Sequence, residues 1–212
     1  MKLIIKILWL ALLLSVSLFG NQTNEVKVAD SANEVCPIKI SEEVPSVNIE
    51  TIDGKKIDIR EVIKESKSII IFYRGGWCPY CNMHLSELQQ VEDDVLALGY
   101  KLIAISIDKP EKLNESLQEH NLSYQLYSDS KAEASKAFGI AFKVEDSQVE
   151  MLKNHNMDLE KSSGEQHHIL PVPSVFITDE EGKIIFEYVN PDYKIRMSGN
   201  LLLEVVKNLQ AK

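Results

Sequence analysis

The chain has 212 residues, 44% of them hydrophobic and 26% charged, which is the composition of a globular protein with room for one domain and a full core. Its 23 basic and 32 acidic residues give a formal net charge of −9, or −11 once Lys2 and Lys6 are set aside, a balance that disfavours nucleic acid and anionic lipid as partners. Three cysteines, Cys36, Cys78 and Cys81, rule out a disulfide scaffold, so the core must come from packing and the sulfurs are free for chemistry.

Residues 1–20, "MKLIIKILWLALLLSVSLFG", place two lysines before an apolar stretch from Ile7 to Phe19, the layout of a secretory signal peptide or an N-terminal anchor. The stretch is short for a membrane span. Ser15, Ser17 and Gly20 are candidate cleavage positions without a clean A-x-A match, so removal and retention both stay open. Either way the expectation is export, with the periplasm of a bacterial cell envelope as the compartment, where thiols form disulfides unless a partner reduces them. Residues 21–43 are polar, lack a sustained period and read as a linker that carries Cys36; a domain over 44–212 follows.

"SVNIETIDGKKIDI" alternates around Asp53-Gly54 and predicts a hairpin of two short strands. "SIIIFY" (68–73) is a continuous apolar run of strand length, as a central buried strand requires. Pro79 suits a first helical turn, and Leu85, Leu88, Val91 and Val95 recur at helical spacing until Gly99. "KLIAISID" (101–108) is the next strand, followed by Pro110 and a polar helix to about Asn121. This β-α-β order implies a parallel pair with a right-handed crossover, which sets the "WCPYC" turn at the carboxyl end of the first strand, where sites of open α/β sheets lie. "SYQLYSD" (123–129) predicts a strand, "SKAEASKAFGI" a short helix, and residues 144–168 a polar, partly helical insertion. "PSVFITDEEGKIIFEYV" predicts two strands around Glu181-Gly182, and the apolar spacing from Ile195 to Leu209 a closing helix.

The chemistry concentrates in Cys78-Pro79-Tyr80-Cys81. A cysteine at a helix N-terminus meets the positive end of the peptide dipoles, which favours thiolate over thiol, and two sulfurs at this spacing can close a small disulfide ring. Trp77 would shield the pair, Pro79 stiffen the turn, and Arg74 add positive charge. A metal reading of Cys78, Cys81 and His84 lacks a fourth ligand, so no metal is expected; haem attachment needs histidine where Asn82 stands. His120, His155, His167 and His168 sit in polar contexts and read as surface residues.

Together "FYRGGWCPYCNMHLSEL", the Asp53-Gly54 hairpin, "LPVPSVFITDEEGKI" and "PDYKIRM" resemble the alkyl hydroperoxide reductase C/thiol-specific antioxidant group, in its peroxiredoxin-like branch of the thioredoxin superfamily, from Pro45 to the end. The resemblance implies an α/β, thioredoxin-like fold: a central mixed sheet flanked by helices, with an N-terminal hairpin extension. It implies an antioxidant oxidoreductase that reduces hydroperoxides through a Cys78/Cys81 redox disulfide, regenerated by a thioredoxin-type dithiol and needing no cofactor. The alternative it leaves open is an exported thiol-disulfide oxidoreductase of thioredoxin type, acting on protein disulfides without peroxidase activity. No nucleic acid partner is expected, and contact with a membrane only through an uncleaved leader.

Two templates of that superfamily fit the turn. Peroxiredoxins resemble T-x-x-C with the last residue attacking, which maps onto Cys81; thioredoxins resemble W-C-x-x-C with the first cysteine attacking, which maps onto Cys78. The arginine that peroxiredoxins carry just before the "VFITD" strand is replaced here by Pro173, which in a thioredoxin would be a cis-proline beside the active sulfur. Arg74 and Arg196 are the candidates to supply the missing cation.

Overall fold

A computed structural model describes residues 28–120 and 122–210. The leader and the first seven residues of the linker lie outside them. In chain order the elements are β1 (Asn48–Glu50), β2 (Lys56–Asp58), α1 (Ile59–Ile63), β3 (Lys67–Tyr73), α2 (Pro79–Gln89), α3 (Glu92–Ala97), β4 (Tyr100–Ser106), α4 (Pro110–His120), β5 (Gln125–Ser128) and α5 (Glu133–Ala137). Then come β6 (Ala141–Lys143), α6 (Asp146–Asn154), α7 (Leu159–Ser163), β7 (Ile169–Pro171), β8 (Ser174–Thr178), β9 (Ile184–Val189) and α8 (Gly199–Gln210).

Seven strands form one mixed sheet in the order β2-β1-β5-β4-β3-β8-β9, and β6 and β7 pair separately. β3, β4 and β5 run parallel, with Tyr73 opposite Ser106, whereas β8 and β9 close one edge antiparallel. The predicted hairpin forms the other edge, joined through Glu50 opposite Ser128. The architecture is thus the expected thioredoxin-like one, a mixed sheet between helices.

The apolar run of β3 is continuous because both its faces are covered. Ile69, Ile71 and Tyr73 point to the side packed by α2, α3, α4 and α8, and Ile70 and Phe72 to the side packed by α1, α5 and Val44. At roughly 1.5–3 kcal/mol for each fully buried large apolar side chain, these alternating residues commit the strand to the centre of the sheet.

Four sequence expectations change. The helix read as running to Gly99 is two: α2 ends at Gln89, and α3 restarts at Glu92, a buried carboxylate that accepts Gln89 Nε2 at 2.6 Å. The closing helix starts at Gly199, and Ile195 lies exposed before it. From Val28 on, the segment read as a linker is docked. Ala29 exchanges backbone hydrogen bonds with Ala141 and Lys143 (3.0 and 2.9 Å), Ile38 N–H donates to Phe138 (3.0 Å), and Val44 N–H to Gly182 (3.0 Å). Its polar composition concealed this because the contacts are made by main chain, which composition does not report. Finally, His167 and His168 are partly buried rather than free on the surface. His167 Nε2 donates to the Ser130 carbonyl (2.7 Å), and His168 Nε2 lies 3.0 Å from Glu160 Oε1.

Candidate active site

β3 delivers its last residue, Tyr73, into the core, and the chain then turns through Arg74-Gly75-Gly76-Trp77 before α2 begins. Both glycines are required there. Gly75 has φ +148°, and a Cβ on it would stand 2.3 Å from Trp77 Nε1 and 2.8 Å from Asp108 Oδ1; one on Gly76 would stand 2.1 Å from Ser116 Oγ. The turn is pinned from beyond β4, where Asp108 Oδ2 accepts the Gly76 N–H at 2.6 Å. From within α2, Asn82 Nδ2 donates to the Gly76 carbonyl at 2.7 Å.

Cys78 is the N-cap of α2, with extended backbone (φ −94°, ψ 113°), and Pro79 is its first helical residue, where the missing N–H costs nothing. The Cys78 carbonyl accepts the N–H groups of Cys81 (2.9 Å) and Asn82 (3.1 Å). Both cysteines are free thiols and both are buried, Cys78 at 2% exposure and Cys81 at 0%. Cys36 is exposed on the docked arm.

The two sulfurs differ electrostatically. The Cys81 thiol donates to the Cys78 sulfur, and with the Arg74 and Arg196 guanidiniums nearby this pulls the Cys78 thiol down from 9 to about 6, against the opposing effect of burial. Cys81 moves the other way. Complete burial raises it, and its role as donor to an anionic neighbour raises it further, despite Arg196.

Two arginines flank the pair. Arg196, in the loop before α8, brings Nη2 to 3.5 Å from Cys81 Sγ, while its Nε and Nη1 are buried without partners. Arg74 is not the solvent-facing residue that its position after a strand suggests. It is 8% exposed, with its guanidinium 5.0 Å from the Trp77 ring and 4.2 Å from the Tyr193 ring, and its Nε has no partner. Tyr193 packs edge-on against Tyr80 at 5.7 Å, so an aromatic clasp spans from the loop after β9 to the first turn of α2. A cavity of about 260 Å³ opens beside it, lined by Arg74, Phe142, Leu170, Pro173 and Tyr193 and walled on one side by arm residues 30–33.

Of the residues singled out from sequence, Cys78, Cys81, Trp77, Pro79, Arg74 and Arg196 therefore converge on one turn. Pro173 stands at the cavity, and the Val172–Pro173 bond is trans, as are all peptide bonds among the described residues. His84 is not turned toward the sulfurs: its Nε2–H donates to the Met197 carbonyl at 2.9 Å, and burial pushes the imidazole down to about 4. Tyr193 and Asp108 were missed. Tyr193 lay within the quoted "PDYKIRM", and Asp108 at the end of the "ISID" strand, an acid just past a run of buried residues.

Two free cysteines three apart at a strand-to-helix turn, on a thioredoxin-like sheet, are the setting of a thiol oxidoreductase of the thioredoxin superfamily. The AhpC/TSA family model matches residues 40–187, and the chain belongs to that family. The peroxiredoxin Bcp of Escherichia coli (strain K12) is 25% identical over 104 residues, a match spanning 49% of this chain and 66% of that relative's length. The thiol-disulfide oxidoreductase ResA of Bacillus thuringiensis subsp. konkukian is 19% identical over 151 residues, spanning 71% of this chain and 69% of its own. Among solved structures, a cysteine-to-serine mutant of peroxiredoxin 6 of Arenicola marina superposes with a TM-score of 0.67 at 19% identity, covering 82% of this chain and 74% of that one. It shares the fold.

Proposed function

We propose that this protein reduces hydroperoxides with the Cys78/Cys81 dithiol, Cys78 attacking and Cys81 resolving. What supports the reading is the AhpC/TSA family match together with two arginines at the dithiol whose guanidinium donors lack partners, Arg196 Nη2 lying 3.5 Å from Cys81 Sγ; Cys78, whose thiol is drawn down to about 6, is taken as the attacking sulfur. The Cys78 thiolate attacks the distal oxygen of the hydroperoxide; the O–O bond breaks, the alkoxide leaves as an alcohol after taking up a proton, and Cys78 becomes a sulfenic acid. The unpartnered donors of Arg74 and Arg196 suit the negative charge that develops on the oxygens. Cys81 then attacks the Cys78 sulfur, water leaves, and a disulfide forms. An external thioredoxin-type dithiol returns two electrons and two protons.

The same pair supports a second reading, in which the first electrophile is a protein disulfide. Attack by the first cysteine of W-C-x-x-C and Pro173 in place of an arginine favour it, as does the likeness to ResA. Turnover of hydrogen peroxide and of an organic hydroperoxide, measured beside reduction of insulin disulfides, separates the two. Peroxide consumption far above that of a free thiol is expected, and a rate no better than a free thiol's ends the first reading. The leader's lysines and apolar stretch support export to the periplasm; cell fractionation that finds the protein only in the cytoplasm would refute it.

A further inference from the structure

Arg74 carries its charge at 8% exposure, and charges buried so deeply are ordinarily paired. Among the described residues no carboxylate forms an ion pair with it, and its Nε is buried without a partner. Two aromatic rings hold the guanidinium instead, Tyr193 at 4.2 Å and Trp77 at 5.0 Å. Trp77 belongs to the cysteine turn itself. Tyr193 comes from the loop between β9 and α8, and it is the closer of the two.

That loop has a built shape. Asn190 Oδ1 accepts the Asp192 N–H at 3.0 Å, Asp192 Oδ1 accepts the Lys194 N–H at 3.0 Å, and the Ile195 N–H donates to the Asp192 carbonyl at 3.0 Å. The loop is tied to the sheet where the Asn190 N–H donates to the Pro173 carbonyl at 3.4 Å. Pro173 stands where peroxiredoxins carry an arginine, so the residue that replaces that cation anchors the loop whose ring holds another. The two arginines also differ in place. Arg196 Nη2 lies against Cys81 Sγ, whereas Arg74, and not Arg196, lines the 260 Å³ cavity. After the hydrogen bond from the Cys81 thiol, Arg74 is the larger of the two cationic pulls on the Cys78 thiol.

We propose that Tyr193 is the positioning residue of this site: its ring holds the Arg74 guanidinium at the cavity wall and so makes Arg74 the cation that meets an oxidant arriving at Cys78. The inference rests on Cys78 being the sulfur that attacks. As the Cys78 S–O bond forms, the O–O electron pair goes to the leaving oxygen, to which a guanidinium N–H of Arg74 donates; a proton from solvent then completes the alcohol or water. The charged groups that face Cys78 are Cys81 from α2, Arg74 from the turn and Arg196 from the loop before α8. Those around Arg74 are Asp30, Lys143 and Glu145, all exposed on the cavity rim, and Lys194, whose Nζ is 5.8 Å from the Tyr193 ring.

Variants of Tyr193 in a Cys36→Ala background test this, and at 37% exposure the ring can be lost without opening the core. Tyr193→Leu should move the pH inflection of iodoacetamide alkylation at Cys78 upward by about half a pH unit and slow the reduction of hydrogen peroxide about tenfold. Tyr193→Phe keeps the ring and should restore both. In an Arg74→Met background Tyr193→Leu should change neither, because the tyrosine acts through the arginine. A Tyr193→Leu protein with the parent's inflection, or one whose losses are the same with and without Arg74, overturns the proposal. If Arg74→Met does not fold, the comparison of Tyr193→Phe with Tyr193→Leu carries the test, and equal losses in the two overturn it. Alkylation needs no peroxide, so a parent that consumes peroxide no faster than a free thiol ends the peroxidase reading alone, and the inflection still decides the part played by Tyr193.

Discussion

At the residue scale the asymmetry of the two sulfurs follows from who donates to whom. Helix position alone favours whichever cysteine sits at the N-terminus, but the largest pull on Cys78 is the hydrogen bond from the Cys81 thiol, with the Arg74 guanidinium next. Iodoacetamide alkylation of Cys78 in a Cys36→Ala background should therefore inflect near pH 6. Cys81→Ala should move that inflection upward by more than Arg196→Met does, because Arg196 contributes least among the causes. A larger shift from Arg196→Met than from Cys81→Ala, read by mass spectrometry of the modified peptide, would show that the arginine and not the thiol controls the charge.

Among elements, the one whose role is least evident from composition is the arm from Val28 to Glu43. It walls the cavity beside Arg74 and is held by backbone hydrogen bonds to β6, to the end of α5 and to the turn before β9. Gly139 is the pinch point. Its φ is +68°, and a Cβ there would stand 2.0 Å from the Cys36 carbonyl oxygen. Gly139→Ala should cost about 1–3 kcal/mol and release the arm. Limited proteolysis should then cut within 28–43 at sites protected in the parent; unchanged protection would mean that the arm's docking does not depend on this contact.

For the molecule as a whole, His84 ties α2 to the carbonyl of Met197, one residue beyond Arg196, and so couples the helix of the cysteines to the loop of the arginine. Folding holds this imidazole neutral, with burial lowering it from 6.5 to about 4. The unfolded chain consequently binds its proton first as pH falls. The stabilisation is complete above pH 6.5 and is lost as pH drops toward 4. Asp108 and Asp129, raised by burial to about 7 and about 6, act with the opposite sign, so the unaltered protein's own pH profile mixes the effects. The difference between parent and His84→Gln isolates the imidazole. Urea denaturation should show the parent's advantage shrinking by about 2–3 kcal/mol between pH 7 and pH 4.5. A constant difference would mean that His84 titrates alike in both states.

Much of this was readable from local pattern. The apolar run before "WCPYC", Pro79 after Cys78, and turn residues at Asp53-Gly54 and Glu181-Gly182 act over three to five residues, and so they set strand, cap and hairpin wherever the chain folds. That is why the β-α-β frame and the cysteine turn at its carboxyl end were legible. Periodicity could not say which cation would meet the sulfurs, or which acid would pin their turn. Arg196 stands 115 residues from Cys81, and Asp108 reaches the turn only because β4 lies in register beside β3. The choice between Cys78 and Cys81 belongs to that second level, since a sulfur's charge depends on burial and neighbours brought by the sheet, which no spacing along the chain encodes.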